Sequence, residues 1–180
     1  MRAKLPAHYA YLANEPDPCI LKEALKCYGV KETQGPGNTP EIMRWASIIG
    51  DKVDKVYTAD SIPWCGLFMA YVAKRSGCEL PASPLWARAW ASWGQQAVTP
   101  KLGDVLVFGR GGGGGHVGLY VAESVSYFHV LGGNQGDAVS IVLVRKARLL
   151  ASRRTEGSTA PNVRRIRLTT AGAPVSVNEA

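Results

Sequence analysis

Cys65, His116 and Asn134 are the residues whose types and order in the chain fit a chemical role. A cysteine thiolate is a nucleophile, and it needs a base within hydrogen-bond reach that an orienting polar group holds in place. Cys65 follows Ile-Pro-Trp and opens an apolar segment, which predicts a helix that begins at the cysteine. Backbone N–H groups at such an end favour a thiolate. A buried, inert cysteine is the alternative interpretation.

His116 is the preferred base among the three histidines. It opens a predicted strand after a run of glycines, on the strand face that also carries Gly118 and Tyr120. This face of small residues leaves room for a helix end to approach. His8 lies in an N-terminal extension with no predicted structured context. Alternation within YFHVL favours a packed side chain for His129.

Asn134 is the first candidate for the group that orients the base. A hairpin around the turn at 123–126 would bring the residue that follows its second strand back beside His116. A side-chain amide there would hold the imidazole in one tautomer. An ordinary Asn-Gln-Gly-Asp turn is the alternative interpretation, and Gln135 and Asp137 are further candidates for the orienting role.

The elements that must position these residues fall into two groups. Apolar residues at helical spacing, closed by glycines, predict helices at 17–28, 40–50 and 65–77, with a shorter helical stretch at 84–94. Asp17 is expected to cap the first helix. After residue 100 the pattern predicts strands at 103–108, 116–123, 127–133 and 139–147.

Helices followed by antiparallel strands indicate an α+β domain. The glycines at 111–115 predict a hairpin loop, because the Gly-Lys-Ser/Thr ending of a phosphate-binding loop is absent. No internal repeat is evident. The predicted organisation is an N-terminal extension at 1–16, a catalytic domain at 17–152 and a basic, flexible C-terminal tail at 153–180.

Length and composition set further limits. A chain of 180 residues with 46% hydrophobic and 19% charged residues suits one globular domain. No apolar run is long enough for a transmembrane helix. The first residues lack the apolar core of a signal peptide, so synthesis in the cytoplasm is expected. The four cysteines form neither a metal-binding pair nor a disulfide framework.

The net charge of +7 comes from one segment. Residues 145–167 hold eight Lys and Arg residues against one acid, Glu156. The expected partner is an anionic envelope surface, contacted by Arg153, Arg154, Arg164, Arg165 and Arg167. A nucleic-acid-binding module is the alternative, but no basic stripe with interleaved aromatic residues supports it.

Three segments together resemble the CHAP class of cell-wall cysteine peptidases, to which the NlpC-type peptidases are related. They are IPWCGLFMAYVAKRSG, LGDVLVFGRGGGGGHVGLYV and VLGGNQGDAVSIV. ALKCYGVKETQGPGNTPEIMRWA and PLWARAWASWG are similar to a phage-enriched branch of that superfamily. The resemblance covers about residues 18–150.

The resemblance implies a papain-like fold and hydrolysis of amide bonds in peptidoglycan. Cys65 would be the nucleophile, His116 the base and acid, and Asn134 the orienting residue. One departure is that Gly132 and Gly133 stand where many CHAP enzymes carry an acidic residue.

The functional expectation is an endolysin-like enzyme acting as a monomer. An interbacterial amidase toxin with the same chemistry is the alternative. Trp64, Gln135 and Trp86 are candidates for contact with substrate, while the other tryptophans at 90 and 93 are expected in the core. No cofactor or metal site is predicted; the resemblance leaves a calcium requirement open.

Overall fold

The computed structural model describes residues 3–155, 160–170 and 172–175. Within them an N-terminal group of helices packs on a six-stranded sheet, so the predicted α+β class is confirmed. The α-helices are α1 (Cys19–Leu25), α2 (Pro40–Ile49), α3 (Asp51–Asp54) and α4 (Cys65–Arg75). Short 3₁₀ helices lie at Ala7–Asn14, Ala87–Ser92, Gly111–Gly113 and Lys146–Arg148.

The predicted helices are present with shorter ends. Pro40 opens α2 and Gly50 closes it with a φ of 139°, which glycine adopts without strain. The predicted cap of α1 is wrong, because Pro18 and not Asp17 holds the N-cap position and no side chain caps the helix. The short helical stretch near residue 90 is a 3₁₀ helix.

The sheet is antiparallel and has the order β1-β6-β2-β3-β4-β5. Its strands are β1 (Gln95–Gln96), β2 (Val105–Gly109), β3 (Gly115–Glu123), β4 (Tyr127–Gly132), β5 (Ser140–Arg145) and β6 (Leu149–Arg154). The run of glycines joins β2 to β3 as the predicted hairpin loop, with Gly109 opposite Gly115.

Alternation along β3 separates two apolar clusters. Val117, Leu119 and Val121 belong to the large cluster shared with the helices. Tyr120 belongs to a smaller cluster on the other side of the sheet. His116 begins the same strand and is fully buried, and its ring is stacked with Phe108 of the smaller cluster at 6.5 Å between centroids.

The predicted N-terminal extension is packed on the sheet. Tyr9 and Leu12 of the first 3₁₀ helix are buried. The hydroxyl of Tyr9 lies 2.6 Å from Nδ1 of His129. Burial, with a smaller contribution from nearby His8, lowers the pKa of His129 to about 4. The expectation that His129 is a packed strand residue is therefore confirmed, and His8 has a structured context that the sequence did not predict.

Two strands were not predicted. β1 is only two residues long. β6 crosses the predicted domain boundary at residue 152, and it pairs with both β1 and β2. Arginines occupy its last positions, where a flexible tail was predicted to begin.

The basic segment lies against the domain through most of its described length. Arg154 forms a bidentate pair with buried Asp104, at 2.7 and 2.6 Å. Arg164 contacts Glu15 at 2.9 Å. Arg153 donates to the backbone carbonyls of 92–94. These arginines therefore link the segment to the protein itself.

Glu123 is a second buried carboxylate that pairs with cations of the basic segment. Its carboxylate accepts hydrogen bonds from Arg165 at 2.6 Å and from Lys146. The Tyr120 hydroxyl donates to the same group at 3.2 Å. Burial raises the pKa of Glu123, but the two cations outweigh it and lower that pKa to about 2.

The lowered pKa of Glu123 predicts an acid-sensitive contribution to stability. A carboxyl group whose pKa falls on folding stabilises the protein above its ordinary pKa, and this stabilisation is lost as the pH falls toward the folded-state value. We expect Glu123→Gln to cost roughly 2 kcal/mol at pH 7, with a difference from wild type that shrinks between pH 5 and pH 2. Thermal melting across this range measures it.

Glu79→Gln is the matched control, because Glu79 is exposed and should leave the melting curve unchanged at every pH. A Glu123→Gln penalty of equal size at pH 7 and pH 3 would contradict the assigned role of the ionised carboxylate.

Candidate active site

Cys65 occupies the first position of α4, as predicted. The residue is only 5% exposed. Burial is the largest influence on its thiol and raises the pKa; the backbone N–H groups of Val117, Gly66 and Cys65 itself and the charge of Arg110 act in the opposite direction. The expected thiolate-favouring field of the helix end is thus present but smaller than the cost of desolvation. A base is needed to remove the proton.

The backbone N–H of Val117 interacts with the sulfur of Cys65, so the sulfur lies near the beginning of β3. Val117 directly follows His116 in this strand, so the nucleophile candidate and the base candidate meet where α4 approaches the sheet. The predicted convergence of a helix start and a strand start therefore occurs. Arg110, at the other end of the glycine loop, contributes positive charge to the same place.

The loop before Leu85 closes over the first turn of α4. A Cβ added at Gly66 would lie 2.2 Å from the carbonyl oxygen of Leu85 and 2.8 Å from that of Pro84. A side chain would not fit there, so the glycine at position 66 lets the loop pass directly over the helix start. This contact fixes the segment that follows Leu85 next to Cys65.

The imidazole of His116 is held by Gln135. Nε2 of His116 lies 2.9 Å from Oε1 of Gln135. The amide nitrogen of Gln135 donates to the carbonyls of Val130 at 3.1 Å and Ser140 at 2.6 Å. Because both donors are used, the oxygen of this amide must face the ring. His116 therefore carries its proton on Nε2, and Nδ1 is the atom with basic character.

Gln135, not Asn134, thus provides the hydrogen bond that the structure assigns to Nε2 of the histidine. Asn134 is buried beside it with a φ of 55°, which turns the chain so that the next residue points back toward the strand. Asp137 is exposed in the same turn. Of the three candidates in this turn, Gln135 is therefore the one with a described hydrogen bond to the imidazole.

Gly132 gives Gln135 the space that it needs. A Cβ at position 132 would lie 2.8 Å from Oε1 of Gln135 and 3.3 Å from Nε2 of His116. A Cβ at Gly133 would lie 2.6 Å from Cβ of Phe68 in α4. The two glycines that depart from the expected acidic pattern therefore allow the strand end, the helix and the amide to approach closely.

Trp64, a candidate for substrate contact, is buried next to the start of α4. Its indole is 0% exposed, packs against Trp45 at 5.9 Å between centroids and donates from Nε1 to Glu32 at 2.9 Å. It supports the helix start from behind. Gln135, the second candidate for substrate contact, is also buried, and its side chain contacts His116.

Trp86 is exposed, whereas Trp90 and Trp93 are buried, as expected for core residues. Trp86 lines an open groove of about 510 Å³ that runs along residues 80–94. Leu85, whose carbonyl lies over Gly66, belongs to the segment that forms this groove. It is therefore adjacent to the start of α4.

Within residues 3–155, 160–170 and 172–175, no group of three His, Cys, Asp or Glu side chains is arranged to hold a metal ion. No helix in this described part of the chain combines the length and apolar character required to cross a membrane.

The site brings together a cysteine at a helix start, a histidine near a strand start and an amide that contacts the histidine, which is the type of arrangement that papain-like thiol hydrolases use. Residues 57–134 match the CHAP domain family. The predicted resemblance to the CHAP class is confirmed over this part of the chain, and the α+β architecture is consistent with a papain-like fold. No curated protein matches the chain.

The matched region contains Cys65, His116 and Asn134 and ends directly before Gln135. The domain assigns the protein to hydrolases that act on peptidoglycan, at the bacterial cell wall.

The contact between Gln135 and His116 predicts a specific kinetic defect. In Gln135→Ala the imidazole loses the group that fixes its tautomer. We expect kcat for peptidoglycan hydrolysis to fall about 10- to 100-fold, with little change in KM, because the amide does not reach the surface. Turbidity loss of purified sacculi measures both constants.

Gln96→Ala is the control of the same chemical type, since Gln96 is exposed in β1, and it should retain wild-type kinetics. An unchanged kcat in a folded Gln135→Ala protein would exclude Gln135 as the orienting residue.

Proposed function

We propose that this protein hydrolyses amide bonds in the peptide part of peptidoglycan by a thiol mechanism in which Cys65, His116 and Gln135 act together. The observation that supports this most is the hydrogen bond that Nε2 of His116 donates to Oε1 of Gln135, because it leaves Nδ1 as the base beside the helix start that carries Cys65. Asn134 keeps a supporting position in the same turn.

In the first step, Nδ1 of His116 accepts the thiol proton of Cys65 as the sulfur attacks the scissile carbonyl carbon. A carbon–sulfur bond forms and the carbonyl oxygen becomes an oxyanion. The N–H groups of Cys65 and Gly66 at the start of α4 are directed to this region and would stabilise that charge. The positive charge of Arg110 adds to the same field.

In the second step, the protonated His116 donates its proton to the leaving amine, and the carbon–nitrogen bond breaks. A water molecule then attacks the thioester, with His116 accepting a proton from it. The carboxyl product leaves and Cys65 regains its thiol proton from the imidazole. No cofactor takes part in these steps, so activity is expected in the presence of EDTA.

The biological setting that we propose is lysis of bacteria by an endolysin-like enzyme that acts as a monomer. The resemblance of residues 24–46 and 84–94 to a phage-enriched branch supports this setting. An interbacterial toxin would use the same chemistry, and a cognate immunity protein that binds the site would distinguish it. Mass spectrometry of digested sacculi would distinguish an endopeptidase from an amidase that cuts the sugar–peptide junction.

Attraction to an anionic envelope remains a proposal for the basic segment. Arg154, Arg164 and Arg165 are paired with carboxylates, which reduces the charge that they present. Arg167 lies in the same segment, beside the chain at Glu123. Dependence of whole-cell lysis on salt, compared with lysis of purified sacculi, tests this attraction.

Substitution of the nucleophile gives the most direct test of the proposed function. Cys65→Ala removes the only group that forms the covalent bond, so release of peptide from sacculi should fall by at least about 10⁴-fold, with the fold retained by circular dichroism. Wild-type protein treated with a thiol-alkylating reagent should lose activity in parallel.

Cys19→Ala is the control for a thiol elsewhere in the chain, since Cys19 is exposed at the start of α1. It should remain fully active. Hydrolysis by Cys65→Ala at the wild-type rate would refute the thiol mechanism.

A further inference from the structure

We propose that the groove beside Cys65 binds the glycan strand of peptidoglycan, with Trp86 as the surface on which an N-acetylated sugar ring stacks. This inference rests on the proposed function, because it assigns to the same site the part of the substrate that is not cleaved. Three observations support it: the exposure of one indole, its position relative to the catalytic residues, and the chemistry of the groove.

Trp86 differs from every other tryptophan in the chain. It is 61% exposed, whereas the remaining four indoles lie at 8% or below, at positions 45, 64, 90 and 93. Exposure of an indole leaves a large, flat apolar surface in water that can pack against the apolar face of a ligand. The neighbouring Trp90 is fixed in the core by a hydrogen bond to the carbonyl of Pro84 at 3.0 Å, which holds the backbone that presents Trp86.

The segment from Leu85 to Arg88 touches both catalytic elements. At one end, the carbonyl of Leu85 lies over Gly66 in the first turn of α4. At the other, Nε of Arg88 donates to the carbonyl of Gly114 at 2.8 Å, two residues before His116. The segment that carries Trp86 is therefore held between the helix of the nucleophile and the strand of the base.

The groove offers the mixture of surfaces that a sugar requires. Its volume of about 510 Å³ lies within the range of small-ligand sites. Apolar surface comes from Leu80, Pro81 and Trp86, and hydrogen-bonding groups come from Ser83, Arg88 and Ser92. The flat indole matches the apolar face of a sugar ring, while hydroxyl and N-acetyl groups at the ring edge can pair with the polar side chains.

Two measurements test the glycan assignment. The first is calorimetric binding of N-acetylglucosamine tetrasaccharide, which carries no peptide, to Cys65→Ala protein with and without Trp86→Ala. The second is the kinetics of Trp86→Ala on intact sacculi. We expect the tetrasaccharide to bind at least tenfold more weakly after loss of the indole. KM on sacculi should rise about tenfold, with kcat within twofold of wild type, and Trp86→Tyr should restore most of the affinity.

Val125→Ala is the matched surface control, because Val125 is 90% exposed in the β3–β4 turn and lies outside the groove. It should change neither constant. Peptide fragments of sacculi freed of sugar should be cleaved equally by wild type and Trp86→Ala.

Several outcomes would overturn the inference. Equal tetrasaccharide binding with and without the indole would show that the sugar does not bind on Trp86. Slower cleavage of sugar-free peptides by Trp86→Ala would assign the groove to the stem peptide. Either result leaves the proposed function intact as long as Cys65→Ala is inactive, whereas an active Cys65→Ala protein refutes the proposed function independently of Trp86.

Discussion

The orientation of His116 by the amide of Gln135 is the interaction on which the proposed chemistry depends. The orientation is unambiguous because both donors of the amide are used by the backbone, at Val130 and Ser140. The sheet thus determines the direction of a side chain, and this side chain determines the tautomer of the base. A cysteine whose pKa is raised by burial requires such a base, since desolvation opposes spontaneous loss of the thiol proton.

Close approach of three backbones is the second constraint. Gly66 accommodates the loop at Leu85, while Gly132 and Gly133 accommodate the amide and α4. A methyl group at any of these positions would meet a neighbouring atom at 2.2 to 2.8 Å, well inside van der Waals contact. The site is therefore assembled through glycines, and its precision comes from the elements that they bring together.

The sequence predicted the elements better than the contacts. Periodicity located α4 and the β3–β4 hairpin, because both bury one regular face. The sequence left Asn134, Gln135 and Asp137 as candidates for the orienting residue, because a turn in which Asn134 adopts a φ of 55° leaves no hydrophobic pattern. β6 was not predicted for a related reason. Its arginines indicated a solvent-exposed tail, but Arg154 pairs with buried Asp104, which is distant in sequence.

The basic segment shows how a local charge excess can be structural. Lys146 and Arg165 converge on Glu123, and Arg154 pairs with Asp104, so acids from the first half of the sheet meet cations from the end of the chain. Buried carboxylates of this kind are costly without a partner. Removal of the segment would therefore leave Asp104 and Glu123 without these partners and would destabilise the protein. A loss of lysis in a truncated protein would then reflect this lower stability and would not by itself show lost attraction to an envelope. Charge reversal at Arg167, which lies outside these pairs, separates the two effects, because it changes the charge that the segment presents while keeping the ion pairs in place.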